Sequence, residues 1–358
     1  MTIEIYAFFN NKGGVGKTTL CSNAAATYAQ RNPDTQVLVI DMCPQANISQ
    51  FLLGGGRVGY NTNQKLQTLA ARKNIVGFIN WLLKGNSGFT SPNTSYRINV
   101  AQYNSHISTN LYLIAGDSFL ESLSLALNYA VINPANTLAW GEYMTAVRRL
   151  CDAEYDRVKY KKLRVFIDCN PSFSIYTQMA LVSSDYLVVP MMADFTSVEG
   201  IRGILMMLFG KYPSAALQKY AHNIVTFEKQ MAQSGFPLPK IFEFVFNNYT
   251  TNKGPATAYD SLRDELVSFA YEQFVAFPGI FAATTTAPLG VDDWSEYYVS
   301  DVKDFHTSGK VSATLGIPLV NLPNRSTYRM PDGEVVNLPP SNYTQAVIDV
   351  NKLVDKLS

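Results

Sequence analysis

The eight residues Lys12-Gly13-Gly14-Val15-Gly16-Lys17-Thr18-Thr19 restrict the fold more than any other stretch of this chain. Before them runs a short apolar segment, Ile3 to Phe9, and after them Thr18 to Ala29 is Ala-rich with helical character. Strand, glycine-rich loop and helix in that order form a cradle for phosphate. The glycines let the backbone wind tightly and aim successive N–H groups at anionic oxygens, while the helix N-terminus adds its dipole. In such a loop Lys17 is expected to neutralise β and γ phosphates, and Thr18 to ligate magnesium. The strict pattern carries one more glycine, at the position where this chain has Asn11.

A turn cluster, Asn32-Pro33-Asp34, leads into Gln36 to Asp41, a continuous apolar run ending in a carboxylate, which reads as a buried parallel strand. Leu163 to Asp168, Asp185 to Pro190 and Lys240 to Asn247 repeat the strand pattern, with helices predicted over Ile175 to Val182 and Ser197 to Phe209. Strands alternating with helices predict an α/β fold of the P-loop NTPase type. Its mostly parallel sheet carries helices on both faces and binds ligands at the carboxyl ends of the strands. With 358 residues, 47% hydrophobic and 16% charged, the chain can bury a large core. Between about residues 54 and 108 the composition turns to Gly, Asn, Ser and Thr around a predicted helix at Ile75 to Leu83. That stretch has too little apolar periodicity for a second core. The expectation is therefore a single domain over 1–358 with an elaborated surface region at about 54–108.

Lys plus Arg number 29 against 28 acidic residues, so the net charge of +1 offers no whole-chain attraction for nucleic acid. Four cysteines, Cys21, Cys43, Cys151 and Cys169, show no metal-ligand spacing and fit a reducing cytosol. The start lacks a secretory pattern and no apolar run approaches the ~20 residues of a membrane span, so a cytoplasmic location is expected.

The run Asn11 to Thr19 resembles the deviant Walker A motif of the ParA/MinD family of ATPases, whose ParA-type members often lack the first glycine. Lys12 matches the family's signature lysine, which reaches the phosphates of the partner's nucleotide. The resemblance thus implies a homodimer with ATP sandwiched between its subunits. Val39-Ile40-Asp41-Met42-Cys43-Pro44-Gln45-Ala46-Asn47 is similar to the family's D-x-D-P-Q-x-N segment. Asp41 keeps the first carboxylate for a magnesium shell. The second, associated with positioning the attacking water, is Cys43, and a thiol is a weak acceptor. Slow or partner-dependent hydrolysis is the expectation. Phe166 to Ser172 resembles the Walker B segment, with Asp168 holding magnesium and Asn170 replacing a proline. Val245-Phe246-Asn247 ends a strand as the family's adenine-contacting Asn does, with Asn248 a competing candidate. Leu111 to Gly116, Met179 to Pro190 and Asp194 to Gly200 also look like family segments, so the likeness covers most of residues 1–250.

On this resemblance the site residues are Lys12, Lys17 and Asp41 for catalysis. Lys12, Gly13, Gly14, Val15, Gly16, Lys17, Thr18, Thr19 and Asn247 are expected to bind ATP, and Thr18, Asp41 and Asp168 to bind Mg2+. Two functions stay open. One is a ParA-like partition ATPase that binds DNA nonspecifically with ATP, associates with the nucleoid and answers to a ParB-like adaptor. DNA contact would then fall on the ATPase body, with Arg202, Lys211, Lys253, Arg263, Lys303, Lys310 and Arg325 as candidates. The other is a MinD-like positioning ATPase acting on membrane or protein cargo. Tyr343 to Leu357 carries the stripe Val347, Val350, Val354 and Leu357, but Asp349, Lys352, Asp355 and Lys356 balance in sign. That charge pattern predicts packing against the sheet rather than membrane binding. Region 54–108 is a candidate adaptor site, and Cys43 and Cys169, both following strand ends beside the loop, are candidates for thiol chemistry.

Overall fold

The first strand, β1 (Thr2–Phe8), alternates in the way a strand buried on both faces must. Ile5 and Ala7 enter one apolar layer, while Tyr6 and Phe8 enter the other. The chain is known from a computed structural model that describes residues 2–69, 71–92, 94–157, 162–249, 256–303 and 305–357. After β1 come β2 (Gln36–Met42), β3 (Ile98–Asn99), β4 (Leu111–Ile114), β5 (Lys162–Cys169), β6 (Tyr186–Met191), β7 (Lys240–Tyr249) and β8 (Val299–Lys303). They form an eight-stranded sheet in the order β3-β4-β2-β5-β1-β6-β7-β8. Every neighbouring pair is parallel except β3 with β4. A separate hairpin joins β9 (Thr327–Arg329) to β10 (Val335–Asn337).

The expected α/β architecture is present, and β1, β2, β5, β6 and β7 lie within a residue or two of their predicted bounds, whereas β3 and β8 had not been predicted. Helices cover both faces, and each face has its own apolar layer. Region 54–108 holds more structure than its composition suggested. The helix Gly56–Gln67 precedes the predicted one, which runs over Ile75–Trp81 and is capped by the Asn74 side chain on the N–H of Gly77 at 2.9 Å. Ile75, Phe78 and Ile79 join the layer that contains Ile5 and Ile40, while Leu66 and Val100 join the opposite one.

The C-terminal helix Pro340–Lys356 packs against the helix Lys17–Arg31 and against β8. Of the predicted stripe Val350, Val354 and Leu357 are buried and Val347 is half-buried, and Leu353 joins them, so most of the apolar stripe is occupied by the protein's own core. Arg31 pairs with Asp355, and Lys356 reaches the buried carboxylate of Glu243 at 3.1 Å. Among the described residues no helix is long and apolar enough to cross a membrane.

Candidate phosphate-binding site

Parallel register decides which side chains meet at the top of the sheet. Asp168 at the end of β5 is level with Phe8 on β1 and with Asp41 on β2. The loop leaves β1 directly above this row. Gly16 caps the helix Lys17–Arg31 at φ +85°, a conformation open to glycine and costly for side chains. Gly13 and Gly14 are exposed, whereas Val15 is fully buried and pins the loop to the core.

Lys17 folds back over the loop, its Nζ donating to the carbonyls of Lys12 at 2.8 Å and Asn10 at 3.1 Å. Burial lowers its pKa, and the Asp168 carboxylate opposes that shift. Thr18 Oγ1 donates to Asp168 Oδ2 at 2.8 Å, joining the loop to β5. The other oxygen of Asp168 is buried with no hydrogen-bond partner among the described residues. A buried acceptor with a free lone pair beside a hydroxyl and a lysine is a donor set that suits a hard cation and its water shell.

Asp41 lies on the same row but is engaged differently. Its Oδ1 accepts the Cys43 N–H at 3.0 Å, and its Oδ2 accepts the Ser49 hydroxyl at 2.6 Å and the Ser49 N–H at 3.2 Å. The Ser49 hydroxyl in turn accepts the Gly116 N–H at 2.8 Å. Asp41 therefore ties β2, the segment 43–49 and the end of β4 together, and in this arrangement it offers no free oxygen. The expected trio thus meets in part: Thr18 and Asp168 touch, and Asp41 stands beside them as an anchor. Burial raises the pKa of both carboxyl groups, and for Asp168 the Asp41 charge adds to the effect. Within the anchored segment, Ala46 is the non-glycine residue with positive φ, at +54°.

Cys43 is buried, and burial together with the Asp41 and Asp168 charges pushes its thiol up to about 12. Cys169 is raised as well, by burial first and then by the Asp168 charge, with Lys17 opposing. Both shifts disfavour the thiolate, the form on which the expected thiol chemistry at this pair depends.

Lys12 emerges on the outer side of the loop. Its ammonium pairs with Asp194 and donates to Thr196 Oγ1 at 2.7 Å. Burial works against ionisation of Asp194, yet the hydrogen bonds from Lys12 and Thr196 outweigh it and hold its pKa below the ordinary value. Asn247 sits over Gly16, its Nδ2 donating to the Val15 carbonyl at 3.3 Å and its Oδ1 buried without a hydrogen-bond partner among the described residues. The side chain of Asn248 lies outside the described residues.

Several supporting residues escaped sequence reasoning. Asn10 is fully buried, gripping the Pro190 carbonyl at 2.8 Å and accepting the Lys12 N–H at 2.9 Å. Gly203 lets the helix Thr196–Phe209 approach the loop, since a Cβ there would stand 2.6 Å from Asn11 Nδ2. A buried Asn at the end of an apolar strand, and Gly200 and Gly203 on one helix face, were the available signals.

The scattered cations do not gather at this site. Arg202 pairs with Glu199, Arg263 with Asp301 at 2.7 Å, and the Lys211 ammonium lies over the Phe277 ring. Lys310 and Arg325 are exposed without an acidic partner among the described residues, whereas Lys253 lies outside them.

A family described as an AAA domain matches residues 3–210. The chain belongs to that family, and within it to the ParA/MinD ATPases. The chromosome partitioning protein ParA of Caulobacter vibrioides is 26% identical over 204 residues, 57% of this chain and 61% of that protein. The match thus spans about three fifths of that relative's length. Two solved structures share the fold. An ATP complex of a McdA variant from Cyanothece is 14% identical with a TM-score of 0.56, covering 98% of this chain and 96% of the other. The pNOB8 ParA bound to nonspecific DNA is 16% identical with a TM-score of 0.53, covering 100% of both.

Proposed function

We propose that this chain is a partition ATPase that binds Mg-ATP, dimerises around the nucleotide, binds DNA nonspecifically in that state, and lets go after adaptor-stimulated hydrolysis. The observation that carries the reading is the joint placement of Lys12, Lys17, Thr18 and Asp168 around one glycine-rich turn. In this reading 1–358 acts as one domain and works in the cytoplasm on the nucleoid. The Caulobacter relative partitions chromosomes by its name, and the pNOB8 relative is bound to nonspecific DNA.

The division of labour follows from the geometry. The N–H groups of residues 13–18 receive the phosphate oxygens, and Lys17 exchanges the carbonyls of Asn10 and Lys12 for phosphate. Thr18 and the free oxygen of Asp168 hold Mg2+, which supplies charge neutralisation when bound. Asp41, level with Asp168 in the sheet register, is the further carboxylate of the Mg2+ shell, and its hydrogen bonds to Cys43 and Ser49 hold it there. Asn247 reads adenine, with Oδ1 free to accept from the exocyclic amine. Lys12 leaves Asp194 and Thr196 for the nucleotide of a second copy. Because Cys43 is a thiol and a weak acceptor, it cannot orient the attacking water as a carboxylate would, and turnover by the chain alone is slow. Burial of the C-terminal stripe favours DNA over membrane as the matrix.

The test is DNA binding with ATP, ADP and no nucleotide across a salt series, together with the ATPase rate with and without DNA. Expected is ATP-dependent, sequence-independent binding that weakens steeply with salt through counterion release. Binding indifferent to nucleotide, or none at low salt, overturns the partition reading.

A further inference from the structure

Away from the phosphate loop, a groove of about 420 Å3 opens between the helix Ile75–Trp81, the turn that follows it, and the start of the helix Leu120–Val131. Its walls combine three aromatic rings, Trp81, Tyr96 and Phe119, with three cations, Arg72, Lys73 and Lys84. None of its lining residues is acidic. The neighbouring carboxylate, Asp117, is buried and fully engaged, accepting from Arg72 at 3.0 Å, Asn74 at 2.8 Å and the Phe119 N–H at 2.9 Å. It thereby holds the Arg72 guanidinium 5.5 Å above the Phe119 ring. Lys73 and Lys84 are exposed and have no acidic partner among the described residues.

Other rings back the aromatic wall. Trp81 stacks on Phe78 at 6.3 Å and meets the edge of Phe89 at 5.2 Å, so its indole is braced from behind. Phe119 remains 51% exposed at the rim. An occupant that satisfies this surface must cover the exposed ring area at Trp81 and Phe119 and bring negative charge to the two cations unpaired among the described residues, Lys73 and Lys84, since Arg72 is already neutralised by Asp117. A lone anion leaves the rings wet. Duplex DNA meets proteins mainly through phosphates and groove edges and does not need a concave aromatic wall. An acidic peptide with one bulky apolar side chain satisfies both demands, the side chain acting as a buried anchor and the flanking carboxylates as complementary charge.

We infer that this groove docks an acidic segment of a partner protein, anchored by a single aromatic or long aliphatic side chain. The groove is built entirely outside the phosphate site, so this inference stands apart from the partition reading. If the partner is the adaptor, region 54–108 supplies most of its seat.

The test uses the 358-residue chain without nucleotide and a synthetic nonapeptide of glutamates around one phenylalanine, titrated by calorimetry and by tryptophan fluorescence. Controls are the same peptide with glutamine for glutamate and a single-stranded oligonucleotide. Saturable binding of the acidic peptide, weakened at least tenfold by K73E with K84E and by the glutamine replacement, supports the proposal. Both lysines are exposed and lie outside the phosphate loop, so ATP affinity of the double variant, measured in parallel, reports that the fold is intact. Absence of saturable binding at millimolar peptide, or binding indifferent to the charge reversal, overturns it. So does an oligonucleotide that binds more tightly than the peptide and is displaced by the same substitutions.

Discussion

Asn247 lies directly on Gly16: a Cβ added to that glycine would stand 2.0 Å from Asn247 Nδ2. The end of β7 and the cap of the loop helix are therefore fitted to each other through the absence of a side chain. Gly16→Ala should strain the backbone by roughly 1–2 kcal/mol at positive φ and push Asn247 aside. We expect ATP affinity to fall at least tenfold by calorimetry while the fold persists. Asn247→Ala should weaken ATP more than inorganic triphosphate, because only ATP carries the adenine. Equal losses for both ligands would remove Asn247 from adenine recognition.

The Lys12 to Asp194 pair makes a second prediction. Asp194→Asn releases the ammonium from its partner within the chain, favouring any state in which Lys12 acts elsewhere. ATP-dependent dimerisation, followed by light scattering, should then require less ATP than in the parent, whereas Lys12→Ala should abolish it. Because the pair is partly exposed, its loss alone should change stability by less than about 1 kcal/mol. A dimer fraction that Asp194→Asn leaves unchanged would show that the pair is structural.

The raised carboxyl groups of Asp41 and Asp168 predict an unusual pH profile for the metal-free protein. Both hold their protons to higher pH in the fold than in the unfolded chain, where they titrate near 4. Below that pH both states are protonated and the pair carries no penalty. As pH rises the unfolded chain ionises first, so folding stability declines until the buried pair also ionises. Thermal unfolding between pH 4 and pH 9 should show this decline, Asp168→Asn should flatten it, and Mg-ATP should reverse it in the parent alone. A rising profile for the metal-free parent contradicts the assignment.

Cys43→Asp sets a catalytic gain against a structural loss. The new carboxylate would join two others in a buried site, with destabilisation of roughly 1–3 kcal/mol expected for a poorly compensated charge. Phosphate release should nevertheless rise severalfold, since a carboxylate can orient water where a neutral thiol cannot. Lower melting temperature with unchanged turnover would locate the slow step elsewhere.

Legibility divided along physical lines. Lys12 to Thr19 was readable because phosphate binding depends on backbone shape, which local glycine spacing encodes. The strands β1, β2, β5 and β6 were readable because burial on both faces leaves continuous apolar runs. Residues 251–358 resisted such a reading: β8 is a five-residue strand carrying Asp301 and Lys303, and its place at the sheet edge comes from pairing with β7. The helix Gly56–Gln67 was hidden by its Gly and Asn content, and packing supplies what its propensity lacks.

By itself, then, the sequence determined that a glycine-rich phosphate cradle joins a buried strand to a helix, and that two further strands end in Asp41 and Asp168. Tertiary structure alone decided what those groups touch. Register set the two carboxylates side by side, and Ser49 with the Cys43 N–H claimed one of them while leaving the other an open oxygen beside Thr18. Folding likewise brought Asp194 to Lys12, and Arg72 to Phe119 across the groove. Spacing along a chain encodes local backbone geometry, whereas partners far apart in sequence, such as Thr18 and Asp168 or Lys12 and Asp194, meet only through the packing of the sheet and its helices.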